Sequence, residues 1–150
     1  MCKNGSLHGM GEAEKRWTNN NVDDVSLARL YLSGKHKGIN VKAGRFGKMY
    51  ADGNVYDGNY DGVSLITGEK TKFKLEKGKL RDGQKGETFI VTHSVPKFDF
   101  EAGIYSYDDV KGYGKTTISS LGSMYYLGDY GLGAMWLHSN KESVVGGKDG

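Results

Sequence analysis

Residues 98–107 read FDFEAGIYSY, and along this segment apolar side chains alternate with mostly polar ones. A repeat of two residues is the period of a β-strand whose two faces meet different surroundings. The alternation is the most regular in the chain and predicts a strand over residues 98–107. It would place Phe98, Phe100, Ala102 and Ile104 on one face and Asp99, Glu101, Gly103 and Tyr105 on the other.

The same alternation recurs along the chain and predicts about eight strands. Apolar residues at helical spacing are confined to residues 11–17, so we expect almost no helix. The predicted fold class is all-β, an antiparallel up-and-down meander. Residues 1–24 would form an N-terminal loop or partial strand and residues 141–150 a truncated loop tail. The predicted strands cover residues 25–34, 39–46, 62–67, 72–80, 88–95, 98–107, 117–127 and 130–140.

The predicted connections alternate strictly between short and long. Short turns are expected at residues 35–38, 68–71, 96–97 and 128–129, and long loops at residues 47–61, 81–87 and 108–116. Outer-membrane barrels have short turns at one end and long loops at the other. Most predicted strands also approach the ~9–11 residues that a tilted strand needs to cross a bilayer. The pattern therefore predicts that the meander is part of a transmembrane β-barrel.

Composition narrows the class of protein. Gly supplies 24 of 150 residues and Pro only one, which suits strands and tight turns. A net charge of +3 is too balanced to indicate a nucleic-acid partner. Cys2 is the only cysteine, so the chain can form no internal disulfide. The first residues lack the apolar core of a signal peptide, so we expect any export signal to lie outside this chain.

Several tyrosines lie near the ends of predicted strands. Amphipathic rings at such positions are typical of the interfacial girdle of a membrane barrel. Tyrosine also favours strands in general, so its presence there does not by itself distinguish a membrane barrel from a soluble β-protein. The tyrosines concerned are Tyr31, Tyr105, Tyr107, Tyr125, Tyr126 and Tyr130.

Residues 27–63, LARLYLSGKHKGINVKAGRFGKMYADGNVYDGNYDGV, carry three motifs in order: ARLYL at 28–32, AGRFG at 43–47 and DGV at 61–63. This stretch resembles the Gram-negative porin superfamily, particularly porins with an S-layer homology domain ahead of the barrel. In that family a strand of the form RAY-x-G is followed by a short turn, a strand ending in AGRFG or LGRQ, a Gly/Asp/Tyr-rich loop and DGV. The segment YGLGAMWLHSN at 130–140 also resembles a porin strand.

The resemblance implies a porin in the cell outer membrane that acts as a passive diffusion channel for small hydrophilic solutes or ions, and not an enzyme. It implies outer-membrane lipid and small hydrophilic solutes as partners, no cofactor, no nucleic acid, and a homo-oligomer such as a trimer for the full-length protein. Eight strands closed on themselves would be filled by side chains, so a water-filled pore needs further strands. The chain ends at GGKDG without a terminal aromatic residue, and we expect it to be a fragment.

The polar faces of the predicted strands supply candidate pore-lining residues. Rings of Lys and Arg favour anions and rings of Asp and Glu favour cations, so the excess of basic candidates predicts a weak preference for anions. Arg45 ends a strand before the Gly-rich loop, which the resemblance implies can fold inward and narrow the pore. The candidates are Arg29, Tyr31, Lys42, Arg45, Lys72, Lys74, Glu76, Asp99 and Glu101.

Other motifs carry less weight. Asp57, Asn59 and Asp61 match the opening half of a calcium-binding EF-hand loop, but its twelfth position is Gly68, which makes them weak calcium candidates. The GKT at residues 114–116 lacks the rest of a nucleotide-binding P-loop. No other metal site is expected, because the four histidines are scattered, and no set of catalytic side chains can be placed from sequence.

Two alternatives to the channel stay open. One is a soluble or secreted β-barrel or sandwich that binds a small ligand or carbohydrate, with aromatic residues such as Trp136 and Phe100 inside. The other is a surface-exposed structural or adhesive β-protein. The first alternative and the channel differ in where the apolar face points, because alternation alone fits both. In the channel, Leu30, Leu75 and Phe100 would face lipid; in a soluble barrel they would be enclosed.

Overall fold

The computed structural model describes residues 7–16, 24–80, 83–108 and 114–141, and in these residues the chain forms one antiparallel sheet. Each strand pairs with the strands before and after it in sequence, which confirms the predicted all-β up-and-down meander. A short 3-10 turn, Ala51–Gly53, joins the third and fourth strands. The described strands are β1 (Leu7–Arg16), β2 (Asp24–His36), β3 (Ile39–Tyr50), β4 (Tyr56–Gly68), β5 (Thr71–Leu80), β6 (Lys85–Val95), β7 (Phe98–Tyr107), β8 (Thr116–Leu127) and β9 (Tyr130–Ser139).

The main difference from the predicted elements lies at residues 47–61, which the sequence led us to expect as a long loop. That expectation was wrong: β3 continues to Tyr50 and β4 begins at Tyr56, so only residues 51–55 connect them. The ladder extends because Phe46 pairs with Tyr60 and Tyr50 with Tyr56, which gives cross-strand aromatic pairs. The strand β1 is additional and lies within residues 1–24.

The turns at one end of the strands are all short. Two residues separate β2 from β3, β4 from β5, β6 from β7 and β8 from β9. In the first of these turns Lys37 and Gly38 both have positive φ, 46° and 82°, as a tight hairpin turn of the primed type requires. The strands that these turns join are 10 to 13 residues long.

The two faces of the sheet differ sharply in burial. We call the face that carries Lys42, Glu76 and Tyr105 the inner face, and the opposite face, which carries Val41, Leu75 and Ile104, the outer face. In the part of the chain for which burial is described, the buried strand residues all lie on the inner face. Most of the large apolar side chains that are exposed lie on the outer face.

The tyrosines do not form the single girdle that their positions in sequence suggested. Tyr105 and Tyr107 are buried on the inner face, at 0% and 2% exposure. Tyr31 and Tyr126 also lie on the inner face, whereas Tyr125 and Tyr130 are on the outer face beside a short turn. The girdle interpretation was therefore wrong for the inner-face tyrosines, because sequence position gives a distance along the strand but alternation decides the face.

The sheet is open in the described residues, with β1 and β9 as its two edges. An edge strand presents unpaired backbone N–H and C=O groups, which need a partner or a cover. Within the same residues no helix has the length and apolar character needed to cross a bilayer.

Candidate functional site

The hairpin of residues 46–60 does not continue the plane of the sheet but folds across its inner face. On β3, Tyr50 lies six positions from Gly44. On β5, Gly78 belongs to the same cross-strand row as Gly44, and Glu76 lies two positions from Gly78 in the opposite direction. An unbent ladder would place Tyr50 and Glu76 about 26 Å apart along the strands. Their side chains are nevertheless hydrogen-bonded, the Tyr50 hydroxyl donating to Oε2 of Glu76 at 2.6 Å. We call residues 46–60 the inner hairpin.

A row of glycines lies at the base of the bend. Gly44, Gly62, Gly78 and Gly86 are direct cross-strand partners on the inner face of β3, β4, β5 and β6. Gly44 has φ of +123°, a conformation that side-chain-bearing residues rarely adopt. A Cβ added to Gly78 would lie 2.8 Å from the Tyr60 ring. The row therefore leaves the space that the ring of Tyr60 occupies next to the sheet.

The inner hairpin is attached to β5 by polar contacts. Glu76 accepts hydrogen bonds from the Lys48 ammonium and from the Tyr50 hydroxyl. The side chains of Lys48 and Glu76 are 14% and 0% exposed, so this ion pair is largely removed from water. Because a buried carboxylate is stable only when it is paired and hydrogen-bonded, the three side chains depend on one another.

An aromatic cluster supports the same arrangement. The ring of Tyr50 packs against that of Tyr105, with centroids 5.2 Å apart, and Ile90 and Ile118 complete the contact. Closer to the bend, the Tyr60 hydroxyl donates to the backbone oxygen of Gly86 at 2.9 Å. The hairpin is thus held against β5, β6, β7 and β8 together, which fixes its position over the inner face.

Open space remains beside the tip of the hairpin. A cleft of about 670 Å³ runs along the inner side of β7, β8 and β9, and three carboxylates are among the residues that line it. These are Asp52 at the tip, and Asp99 and Glu101 on β7. Asp99 accepts a hydrogen bond from the Tyr126 hydroxyl at 2.9 Å. The charged side chains that line this cleft are therefore all carboxylates.

The predicted pore-lining residues fall on the inner face with one exception. Lys42 lies with its ammonium 4.4 Å from the ring centroid of Tyr31, and Arg29 reaches Gly47 at the base of the inner hairpin. Arg45 instead lies on the outer face, where Nε and Nη2 of its guanidinium donate to both carboxylate oxygens of Asp61. It therefore lies on the opposite face of the sheet from the other candidates. The other inner-face candidates are Lys72, Lys74, Glu76, Asp99 and Glu101.

The EF-hand-like segment does not form a chelating loop. Asp57, Asn59 and Asp61 all belong to β4, where an extended backbone spreads them along one face. Asp61 is also engaged by Arg45. No group of three or more His, Cys, Asp or Glu side chains converges within the described parts of the chain.

Sequence reasoning missed Lys48, Tyr50 and Asp52, because all three fall within residues 47–61, which were predicted to be a loop. A signal was present: the alternation of aromatic residues in Phe46-Gly-Lys-Met-Tyr50 continues the period of the preceding strand. The bend itself has no local signal of comparable strength, since it depends on contacts with later strands.

The outer face carries two continuous rows of apolar side chains. Leu75 and Ile104 of the first row are 53% and 52% exposed, and Trp136 of the second is 57% exposed. Contiguous apolar surface of this kind marks a site of contact with lipid or with another protein. The first row is Val41, Leu65, Leu75, Phe89 and Ile104, and the second is Phe73, Val91, Ala102, Leu121 and Trp136.

Comparison with models of known protein families gives no match, and comparison with curated proteins gives none either.

Proposed function

We propose that the chain is part of the wall of an outer-membrane β-barrel, and that the barrel is a porin-type passive channel for small hydrophilic solutes. The observation that carries the proposal is the direction of the apolar side chains. Leu30 and Leu75 are 56% and 53% exposed on the outer face, while Glu76 on the opposite face is 4% exposed. A barrel in lipid has this arrangement, with apolar side chains outside and polar ones inside.

The backbone supports the same proposal. In a bilayer every backbone polar group must be paired, and strands that pair with both neighbours meet this requirement. The strands β2 to β9 are as long as, or longer than, the ~9–11 residues needed to cross the hydrocarbon layer. Two-residue turns join them at one edge, as at the periplasmic end of an outer-membrane barrel.

The inner hairpin gives the proposed channel its constriction. Because the hairpin covers the inner face of β5 to β8, solutes would pass along the acidic cleft beside its tip. Asp52, Asp99 and Glu101 would attract cations and repel anions there. We therefore propose a preference for cations in place of the anion preference that the count of basic residues had suggested.

The proposal is tested by refolding the full chain into planar lipid bilayers and measuring conductance under a salt gradient. Discrete conductance steps with a reversal potential on the cation side are expected. Refolded protein that inserts in the bilayer as an oligomer but conducts no ions would contradict the channel. Since the chain supplies an open sheet, the oligomeric state in the bilayer is measured on the same sample by cross-linking.

A second measurement separates the channel from the soluble ligand-binding barrel. The alternative requires Trp136 and Phe100 inside a closed interior, whereas Trp136 is 57% exposed on the outer face. With Trp17 replaced by Phe, Trp136 is the only tryptophan and reports its own surroundings. Quenching of its fluorescence by brominated acyl chains is expected. Protein that stays in water, with Trp136 shielded from a soluble quencher, would favour the alternative.

A further inference from the structure

A row of charged residues borders the apolar rows of the outer face. Arg45, Asp61, Lys79 and Lys85 are successive cross-strand partners on β3, β4, β5 and β6. They lie toward the ends of the strands that are farther from the two-residue turns. Lys115, immediately before β8, adds a further cation to the same region. This charged row therefore runs parallel to the apolar surface.

Cations outnumber carboxylates in this region, although Asp108 also lies among the lysines. Asp61 forms an ion pair with Arg45, and Glu87 forms one with Lys77 at 2.6 Å. Lys79 and Lys85 face each other directly across β5 and β6, and neither forms an ion pair with another described residue. Like charges at directly opposed positions destabilise a sheet. An anion placed between the two ammonium groups would remove this repulsion.

Two clefts meet at this point. The first, of about 800 Å³, is lined by four lysines, among them Lys79, Lys85 and Lys115, and by the carboxylates of Asp61, Glu87 and Asp108. The second, of about 420 Å³, lies along the neighbouring apolar surface and is lined by Leu75, Phe89 and Ile104, among others. Lys77, Glu87 and Ser106 belong to both linings, so the cationic cleft continues into the apolar one.

We propose that these two clefts form a binding site for a phosphate-bearing lipid. The phosphate lies between the ammonium groups of Lys79 and Lys85, with Lys115 nearby, and an acyl chain follows the apolar cleft past Leu75 and Phe89. The geometry matches an amphiphile, because a cationic site and an apolar groove of the outer face share one boundary. This inference rests on the proposed membrane location, but it concerns the outer face and not the passage.

The test uses the full chain refolded in non-ionic detergent. Phosphatidic acid or phosphatidylcholine with the same acyl chains is added, and native mass spectrometry counts the lipid that stays bound. We expect phosphatidic acid to be retained at least about tenfold more strongly, because two lysines act on its phosphate. The double variant K79Q/K85Q should lose this preference. The matched control K35Q/K70Q removes the same charge near the opposite edge and should keep it, as should K79R/K85R.

Equal loss in K79Q/K85Q and in K35Q/K70Q would overturn the site, because net charge alone would then explain binding. Retained preference in K79Q/K85Q, with unchanged far-ultraviolet circular dichroism, would also overturn it. Inorganic phosphate in excess should not displace the lipid; displacement would overturn the acyl-chain half of the proposal. Conductance is recorded on the same variants. A protein that prefers phosphatidic acid but conducts no ions would contradict the channel and leave the lipid site supported.

Discussion

The inner and outer faces of the sheet treat polar and apolar side chains in opposite ways. Glu76 and Thr88 on the inner face are 4% and 3% exposed, under the inner hairpin. Leu30 and Ile104 on the outer face are 56% and 52% exposed. A protein that folds only to remove apolar surface from water would bury the second pair before the first. The difference is the one that the proposed barrel requires, with lipid against the outer face, and the inner face is covered through specific contacts with the inner hairpin.

The largest effect is expected from removing Glu76, whose contacts hold the inner hairpin against the inner face. In E76A, Lys48 is left in a largely buried position without its partner, and the Tyr50 hydroxyl loses its acceptor. We expect the free energy of unfolding to fall by about 3–5 kcal/mol. We also expect single-channel conductance to rise, because the hairpin is less firmly attached. Urea titration in detergent and bilayer recording measure the two effects.

The control for this variant is E69A, which removes a carboxylate from an exposed two-residue turn. Its stability and conductance should match those of the wild type. If E76A and E69A behave alike, then the contacts of Glu76 do not hold the inner hairpin.

The proposed contact between the outer face and lipid is tested by placing a charge in the apolar rows. In L75K, an ammonium group replaces an exposed leucine between Leu65 and Phe89. A lysine near the middle of a bilayer costs a barrel about 2–4 kcal/mol, so folding into lipid vesicles should weaken by that amount. The control D129N also changes the net charge by +1, but in a two-residue turn, and should cost little. A neutral effect of L75K would contradict contact between this face and lipid.

The base of the bend is tested at the glycine row. In G78A the new methyl group would lie 2.6 Å from the Cα of Gly62 and 2.8 Å from the Tyr60 ring. Because backbone atoms cannot move away easily, we expect a loss of about 1–3 kcal/mol in stability.

The inner-face glycine Gly122 provides the control, since its nearest contact would be the flexible end of Met135 at 3.4 Å. G122A should be neutral or slightly stabilising. Equal costs in G78A and G122A would show that crowding at the row does not determine the bend. Thermal unfolding followed by circular dichroism separates these outcomes.

The smallest expected effect distinguishes the faces by selectivity. Neutralising Glu101 in E101Q removes one carboxylate from the cleft beside the hairpin tip, so the preference for cations should decrease. R45Q should leave selectivity unchanged, because Arg45 and Asp61 lie on the outer face. Its stability should fall by no more than about 1 kcal/mol, since the pair is exposed. Reversal potentials in a salt gradient provide the measurement, and a larger shift in R45Q than in E101Q would contradict the assignment of faces.

Local alternation was enough to predict most of the sheet. The strand β7 begins and ends where the pattern of residues 98–107 placed it, because a period of two is set by the backbone itself. The same reasoning assigned Leu30, Val41 and Leu75 to a common face, as observed. These features depend on neighbours in sequence or on the adjacent strand. Both kinds of contact produce a periodic pattern in the sequence.

The bend of the inner hairpin could not be predicted in this way. Gly, Asp and Asn between residues 47 and 61 indicated a loop, although the aromatic alternation through Tyr50 continued the strand. The position of Tyr50 depends on Glu76 and Tyr105, which are far away in sequence and whose proximity no local pattern records. Arg45 was expected to line the pore because the resemblance implied a loop after it that folds inward. Alternation along β3 instead places Arg45 with Asp61 on the outer face.

The long sequence separation between Tyr50 and its partners has a consequence for the order of assembly. Tyr105 and Ile118 follow Tyr50 by 55 and 68 residues, so their strands must be in place before Tyr50 can dock. Contacts of such separation form late, because the intervening chain must first lose its freedom. The wall would therefore form with an unobstructed interior, and the constriction would arise in the last stage of folding.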